Sequence, residues 1–554
     1  MRCSNNCSMV LALLAGAFSM IATVKAQDLP RFDRAPGSTQ LIVGGKPFLI
    51  LGGELGNSAA GTAAQADEIL PRVAHSHANT ALIPVSWELI EPAEGKFDFT
   101  ILDHWIEQAR AQKMHLVLLW FGSWKNAFSS YAPDWVKRDT RRFARALAPD
   151  GHPLEILSAF SSANLEADAR AFRALMRHVK EFDSHDQTVL MVQVENESGV
   201  LGSARDHSAE ADRLFAAAVP DTTAQYLRTH PEQLSPELAR SWNANGRTWR
   251  EVFGENAPEA FTAWSYARYI DQVTAAGKAE YALPMYVNAQ LPAPAERAGE
   301  YPSGGPYPAV LAIYRATTRS IDFYSPDIYW PNFEYWVQRY AEHANPLFIP
   351  EARLEAAPFN AFYAYGAAGA FGFSPFALES LPDAGAAAAS PRGSGEAPNP
   401  MAQTYGVLEQ LADLLPAAQR EGHTRGIVLH ATSPRPTQAV ALGGYLFTAT
   451  LARSWPARNL LQDDGALLIL STGPDEFLIA GTAMSVTVSV DVDAAAGTGR
   501  IAGLASVEEG TRKNGEWSTT RRLNGDQNNQ GRTVSLPDHR CALLRVKLYT
   551  IPAR

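Results

Sequence analysis

Between about residues 48 and 416, short apolar runs alternate with longer amphipathic segments, and the spacing of apolar positions switches between the two. The short runs at 48–53, 80–85, 115–121, 188–194, 284–288, 322–328, 347–350 and 370–375 predict eight strands. The longer segments at 102–112, 167–182, 261–276, 309–318, 333–343 and 401–415 repeat their apolar residues at intervals of three and four, which predicts helices. Eight strand-then-helix units close most simply into a (β/α)8 barrel, so the fold class is α/β, a TIM barrel. In such a barrel the residues just after each strand form one face, and reactive groups are sought there.

Two segments interrupt the alternation. Residues 198–258, after strand four, are far longer than an ordinary βα loop and contain helix-like pieces with Trp242 and Trp249. They read as a wall of a substrate groove or as a structural insertion. Residues 383–400, rich in Ala, Gly, Ser and Pro, read as a mobile loop at the barrel mouth. Beyond residue 419 the runs become short, β-branched and separated by Gly, Asp, Asn or Pro: 426–430, 437–442, 467–471, 476–481, 485–492 and 541–548. This predicts a C-terminal antiparallel, β-sandwich-like domain at 419–554, behind a barrel domain at 27–418.

Residues 1–26 open with Arg2, run apolar from Met9 to about Val24, and end Val24-Lys25-Ala26. That is the pattern of a secretory signal peptide cleaved after Ala26, and it predicts a periplasmic or secreted protein with no membrane attachment after cleavage. Cleavage removes Cys3 and Cys7, leaving Cys541 with no intramolecular disulfide partner. It also removes Arg2 and Lys25, taking the formal charge from −10 to −12. With no basic run anywhere, nucleic acid is excluded as a partner. A homo-oligomer is compatible with all of this. The 12 Trp, 18 Tyr and 24 Phe are core or the lining of a sugar groove.

The chemistry concentrates at two strand ends. Strand four reads VLMVQVENES and delivers Glu195, Asn196 and Glu197; strand seven reads PLFIPEARLE and delivers Glu351. These strands face each other across an eight-stranded barrel, so Glu197 and Glu351 can address one bound group. Breaking a glycosidic bond needs such a pair: one carboxylic acid to protonate the leaving oxygen, and one carboxylate to attack or to activate water. Glu195 reads as an inward structural carboxylate and is the rival to Glu197. The pair His75 and His77 lies in a helix-to-strand connection without acidic partners, so no metal is assigned, and no cofactor motif is present. Neither a phosphate-binding glycine loop nor a Gly-x-Ser-x-Gly elbow occurs.

The stretch ALIPVSWELIEPAEGKFDF at 81–99, with VQVENES and PLFIPEA, resembles the β-galactosidases of glycoside hydrolase family 35, in the bacterial branch that has a C-terminal β domain. The likeness covers about residues 40–416. It implies a retaining exo-β-glycosidase with Glu197 as acid/base and Glu351 as nucleophile, releasing terminal β-galactose from plant-derived oligosaccharides or polysaccharide side chains. It further implies that Asn196 bonds the sugar 2-hydroxyl, that Tyr329 orients the nucleophile, and that Glu54 belongs to the sugar shell. The chain departs from the family at Gly56-Asn57 in strand one, at Pro84 in strand two, and at Lys125-Asn126 in strand three. These departures bear on sugar selection. Trp87, Trp120, Trp124 and Trp330 are candidate stacking platforms, with Trp124 and Trp330 nearest the strand ends. Alternatives on the same carboxylate pair are an endo-β-glycanase or an arabinosidase; a non-catalytic carbohydrate-binding protein is a third reading.

Overall fold

The computed structural model describes residues 28–35, 38–381, 399–432, 436–452, 464–491, 499–538 and 540–553. The leader-like segment 1–26 and most of the Ala/Gly-rich segment, 383–398, lie outside them. Eight parallel strands close into a barrel: Ile50–Glu54, Thr80–Ser86, His115–Lys125, Val189–Asn196, Met285–Gln290, Phe323–Ile328, Phe348–Ala352 and Gly372–Pro375, the last pairing with the first. All eight predicted strands are present. Strands three, four and five run two to four residues further toward their C-terminal ends than the apolar runs suggest, because the polar residues there still hold the ladder, as in the Lys125–Asn196 pairing.

Inside the barrel, Ile50, Leu82, Val117, Leu190, Phe323 and Phe348 fill the axis. A three-stranded antiparallel sheet, Arg31–Ala35, Ser38–Val43 and Lys46–Phe48, closes the N-terminal end of the strands. It does so by burying Leu41 and setting the Phe32 ring edge-on to Phe323 and Phe371, at 5.3 and 5.2 Å. The apolar fill stops short of the opposite end, where buried polar side chains take over. Such groups are tolerated in a barrel core only when they pair or face a cavity.

The long segment after strand four folds as helices Ala209–Ala216, Asp221–Thr229, Pro236–Ser241 and Trp249–Phe253. Trp249 packs on Phe261 and Trp264, at 5.4 and 5.6 Å, and covers the outer side of helix Ala257–Lys278. That helix is buried along most of its length, with Gln272 and Ala275 reaching solvent near its C-terminal end. The insertion thus shields a barrel helix.

The C-terminal part forms two antiparallel sheets among the described residues. The six-stranded one runs Thr424–Leu429, Gly465–Gly473, Glu476–Thr482, Ala542–Pro552, Arg500–Lys513, Glu516–Arg522; the four-stranded one runs Thr437–Leu442, Tyr445–Leu451, Met484–Val490, Thr533–Ser535. Strand alternation divides the labour. Leu467 and Ile469 face the space between the sheets with Phe447 and Val486, whereas Ala466, Leu468 and Leu470 face the barrel's core. Helix Ala357–Gly366 docks there by backbone contact: a Cβ on Gly366 would lie 2.7 Å from the Arg425 carbonyl, and one on Gly426 would lie 2.8 Å from the Phe362 carbonyl. Arg512 adds a two-pronged ion pair to Asp413 at 2.6 and 2.8 Å.

Candidate active site

At the C-terminal ends of the strands lies a cavity of about 350 Å³, lined by Asn57, Lys125, Asn126, Glu197, Gln290, Leu291, Asp327, Tyr329, Trp330, Glu351 and Phe376. Glu197 and Glu351 are 3 % and 4 % exposed, and both reach it. Carboxylate oxygens of Glu197, Asp327 and Glu351 lie within 4.8 Å of one another. The Lys125 ammonium, buried among them, is the positive charge of the group. Burial opposes that charge, yet the carboxylates of Glu351, Glu197, Glu54 and Asp327 outweigh it and raise the Lys125 pKa.

Each of the pair is held by its own partner. The Asn126 amide donates to Glu197 Oε2, and the Tyr329 hydroxyl donates to Glu351 Oε1. The Glu197 backbone N–H donates to Asn288 Oδ1 at 2.9 Å. Burial, then the nearby charge of Glu351, raises the Glu197 carboxyl from its ordinary 4.5 to about 7, so this acid keeps its proton under conditions where an ordinary carboxyl has lost it. Glu54 and Asp327 are pushed well up for the same reasons, burial first and Glu351 second. Burial and the facing Glu351 carboxylate likewise raise the Tyr329 hydroxyl, keeping it a donor.

A raised acid has a stability consequence. Folded Glu197 binds a proton more tightly than the unfolded chain does, so its contribution to stability falls as pH climbs from about 4.5 to about 7 and is level above that. Glu197→Gln removes this dependence. The melting temperature of the variant should therefore gain on the parent across that window, and a gap that stays constant with pH would show that Glu197 titrates normally.

The structure gathers Glu197, Glu351, Tyr329, Asn126, Lys125 and Trp330 around one cavity, as the sequence suggests. Trp330 remains half-buried with its indole N–H on the Leu291 carbonyl at 3.0 Å, leaving the ring at the wall. Other expectations are corrected. Trp124 is fully buried behind the wall, its N–H on the Leu157 carbonyl and its ring on Tyr266 and Tyr269. Strand three continues through Lys125, so the pleat that turns Lys125 inward turns Trp124 outward. Trp87 and Trp120 are also core, bonded to Glu91 and Asp168. Asn196 is buried and does not line the cavity; neither atom of its amide has a hydrogen-bond partner. Glu54 is buried against Glu351 and stands off the wall.

Glu195 turns away from the mouth. It accepts from the Trp124 N–H at 2.7 Å and faces Asp168 in a cluster with Ser123 and Tyr269. Glu195 and Glu197 both have left-handed backbones, φ 62° and 42°, which breaks the strand alternation and sends the two carboxyls to different places. His77 does have an acidic partner, Glu409 at 2.9 Å, in an exposed pair that does not line the cavity. No residue of the 198–258 insertion lines the cavity.

Of the lining, Gln290, Leu291, Phe376 and Asp327 went unremarked in the sequence, as did Asn288 behind it; the two polar groups that touch Glu197 are Asp327 and Asn288. Both had a signal: Asp327 stands two before Tyr329, on the same side of the pleat, and Asn288 closes the apolar run of strand five.

Residues 62–254 match the sequence model of glycoside hydrolase family 42, described as Beta-galactosidase, and residues 401–535 match a domain of unknown function, DUF5597. The matching family is 42 where the sequence resemblance pointed to 35. No curated protein matches the chain. Among solved structures, the β-galactosidase of the psychrophilic Marinomonas ef1 aligns at 11 % identity and a TM-score of 0.42, over 67 % of this chain and 61 % of that one. The β-galactosidase of the haloarchaeon Halorubrum lacusprofundi aligns at 15 % and 0.40, over 65 % and 60 %. The catalytic domain of the Paenibacillus polymyxa β-amylase aligns at 12 % and 0.39, over 60 % and 92 %. The chain thus spans about three fifths of the length of the two β-galactosidases. The family match spans strands two to four of the barrel and includes Glu197, and Glu351 faces that residue from strand seven.

Proposed function

We propose that the protein is a retaining exo-β-galactosidase, secreted or periplasmic, that removes terminal galactose from plant-derived oligosaccharides or polysaccharide side chains. The observation that carries the mechanism is the spacing of Glu197 and Glu351, whose oxygens approach within 4.8 Å across one cavity. Retaining enzymes hold their carboxyls about 5–5.5 Å apart, and inverting ones leave about 6.5–9.5 Å for a water. The description of the matched family supports galactose as the sugar, and the leader-like first 26 residues support export.

The chemistry follows from the surroundings of each acid. Glu351 attacks the anomeric carbon while Glu197, holding its proton, delivers it to the leaving oxygen. Once the glycosyl ester forms, the Glu351 charge, second to burial in raising the Glu197 pKa, is gone, the pKa falls, and Glu197 becomes a base able to take a proton from water. Tyr329 holds one oxygen of the nucleophile, leaving the other to react.

Proton NMR of early hydrolysis of an alkyl β-galactoside tests this reading. β-Galactose should appear first and mutarotate later. First appearance of the α-anomer would mean inversion, and cleavage of other glycosides in place of galactosides in an aryl-glycoside panel would overturn the sugar assignment.

A further inference from the structure

Asp327 is the carboxyl of the site with no role in the two-step reaction. It stands on strand six, in register with Gln290 on strand five and with Glu351 on strand seven, and it is 1 % exposed. Its Oδ2 accepts from Asn288 Nδ2 at 2.6 Å, and the same carboxyl also faces that of Glu197 directly, with oxygens within 4.8 Å. On its other side the same Asn288 amide accepts the Glu197 backbone N–H at 2.9 Å. Glu197 at that point has a left-handed backbone, a conformation that costs a non-glycine residue free energy and persists only where its surroundings hold it.

An asparagine amide has two faces, and only one orientation serves here. With its oxygen toward Glu197 it accepts the N–H; flipped, it would set two donors against each other. An acceptor on the far side fixes the choice, and Asp327 supplies one whether its carboxyl is charged or neutral, since the carbonyl oxygen accepts in both forms. We propose that Asp327 is a positioning residue for Glu197, acting through Asn288 to lock the backbone from which the proton-donating carboxyl is presented. This rests on Glu197 being the acid of the proposed reaction.

The consequence is selective. A misplaced acid harms departure of a basic alkoxide, which needs the proton, and spares departure of a dinitrophenolate, which does not. The readout is kcat/KM, which covers steps only through departure of the leaving group. Asp327→Ala should lower it about tenfold or more for an alkyl galactoside and less than about threefold for the dinitrophenyl galactoside. Asp327→Asn, which restores an acceptor for Asn288, should recover most of the loss. Asn288→Ala should show the same split, and the double variant should be no worse than the poorer single, because both act on one link.

Equal losses on the two substrates, failure of the asparagine to rescue, or multiplying losses in the double variant would overturn the proposal while leaving the galactosidase reading intact. If Asp327→Ala fails to fold, Asn288→Ala decides on the same split. Absence of any split in Glu197→Ala itself would overturn the reading and the proposal together.

Discussion

Glu351→Ala is expected to reduce turnover of every galactoside by about 10⁴-fold or more, the scale seen when a covalent catalyst is removed. The loss is large because Glu351 is both the group that forms the bond and the charge against which the rest of the site is balanced. Its removal also leaves Tyr329 without the acceptor it now bonds and Lys125 with one carboxylate fewer. The vacated side of the cavity then admits a small anion. Azide should restore turnover of an activated aryl galactoside and yield α-galactosyl azide, because it attacks from the side Glu351 occupied while Glu197 remains in place. Mass and NMR analysis of the product decides. A β-azide, or full hydrolysis without azide, would remove Glu351 from the nucleophile's role.

How much of this was legible in the sequence follows from what each residue depends on. The eight strands were, because buried parallel strands are nearly continuous apolar runs, and so were Glu197 and Glu351, which close the runs of strands four and seven. Trp124 was misplaced for a geometric reason: the apolar run ends at Phe121, but the strand continues to Lys125, and only the continued pleat reveals that Lys125 and Trp124 face opposite ways. Asp327 could have been found by the same pleat from Tyr329. The parting of Glu195 from Glu197 could not, since a left-handed backbone at a glutamate has no signature in composition or period and depends on tertiary partners, the Trp124 N–H on the Glu195 carboxyl and Asn288 on the Glu197 N–H. In the C-terminal sheets the missed strands are Tyr445–Leu451, whose apolar alternation was legible, and Arg500–Lys513, Glu516–Arg522 and Thr533–Ser535, which are polar in large part or short and take their order from pairing with neighbours. Strand propensity there is set by the partner more than by the segment.

Glu197→Ala is the complementary experiment, and its expected result depends on the substrate. For an alkyl galactoside kcat/KM should fall about 10²- to 10⁴-fold, the usual worth of a positioned acid. For a dinitrophenyl galactoside kcat/KM should be nearly spared, since its leaving group departs unaided, while kcat falls because no base then activates water against the glycosyl ester. Azide should accelerate that second step and give β-galactosyl azide, the opposite anomer to the one expected from Glu351→Ala, because it meets the ester from the face where the leaving group had been. The pH profile supplies a third handle. Glu197 must be protonated in the free enzyme, and burial together with Glu351 holds its pKa at about 7, so kcat/KM of the parent should decline above that pH. In the variant that alkaline limb should vanish for the dinitrophenyl substrate. A limb that persisted unchanged would assign the titrating acid elsewhere, with the buried carboxyls of Asp327 and Glu54 the groups to test next, since both are also raised and both face Glu351.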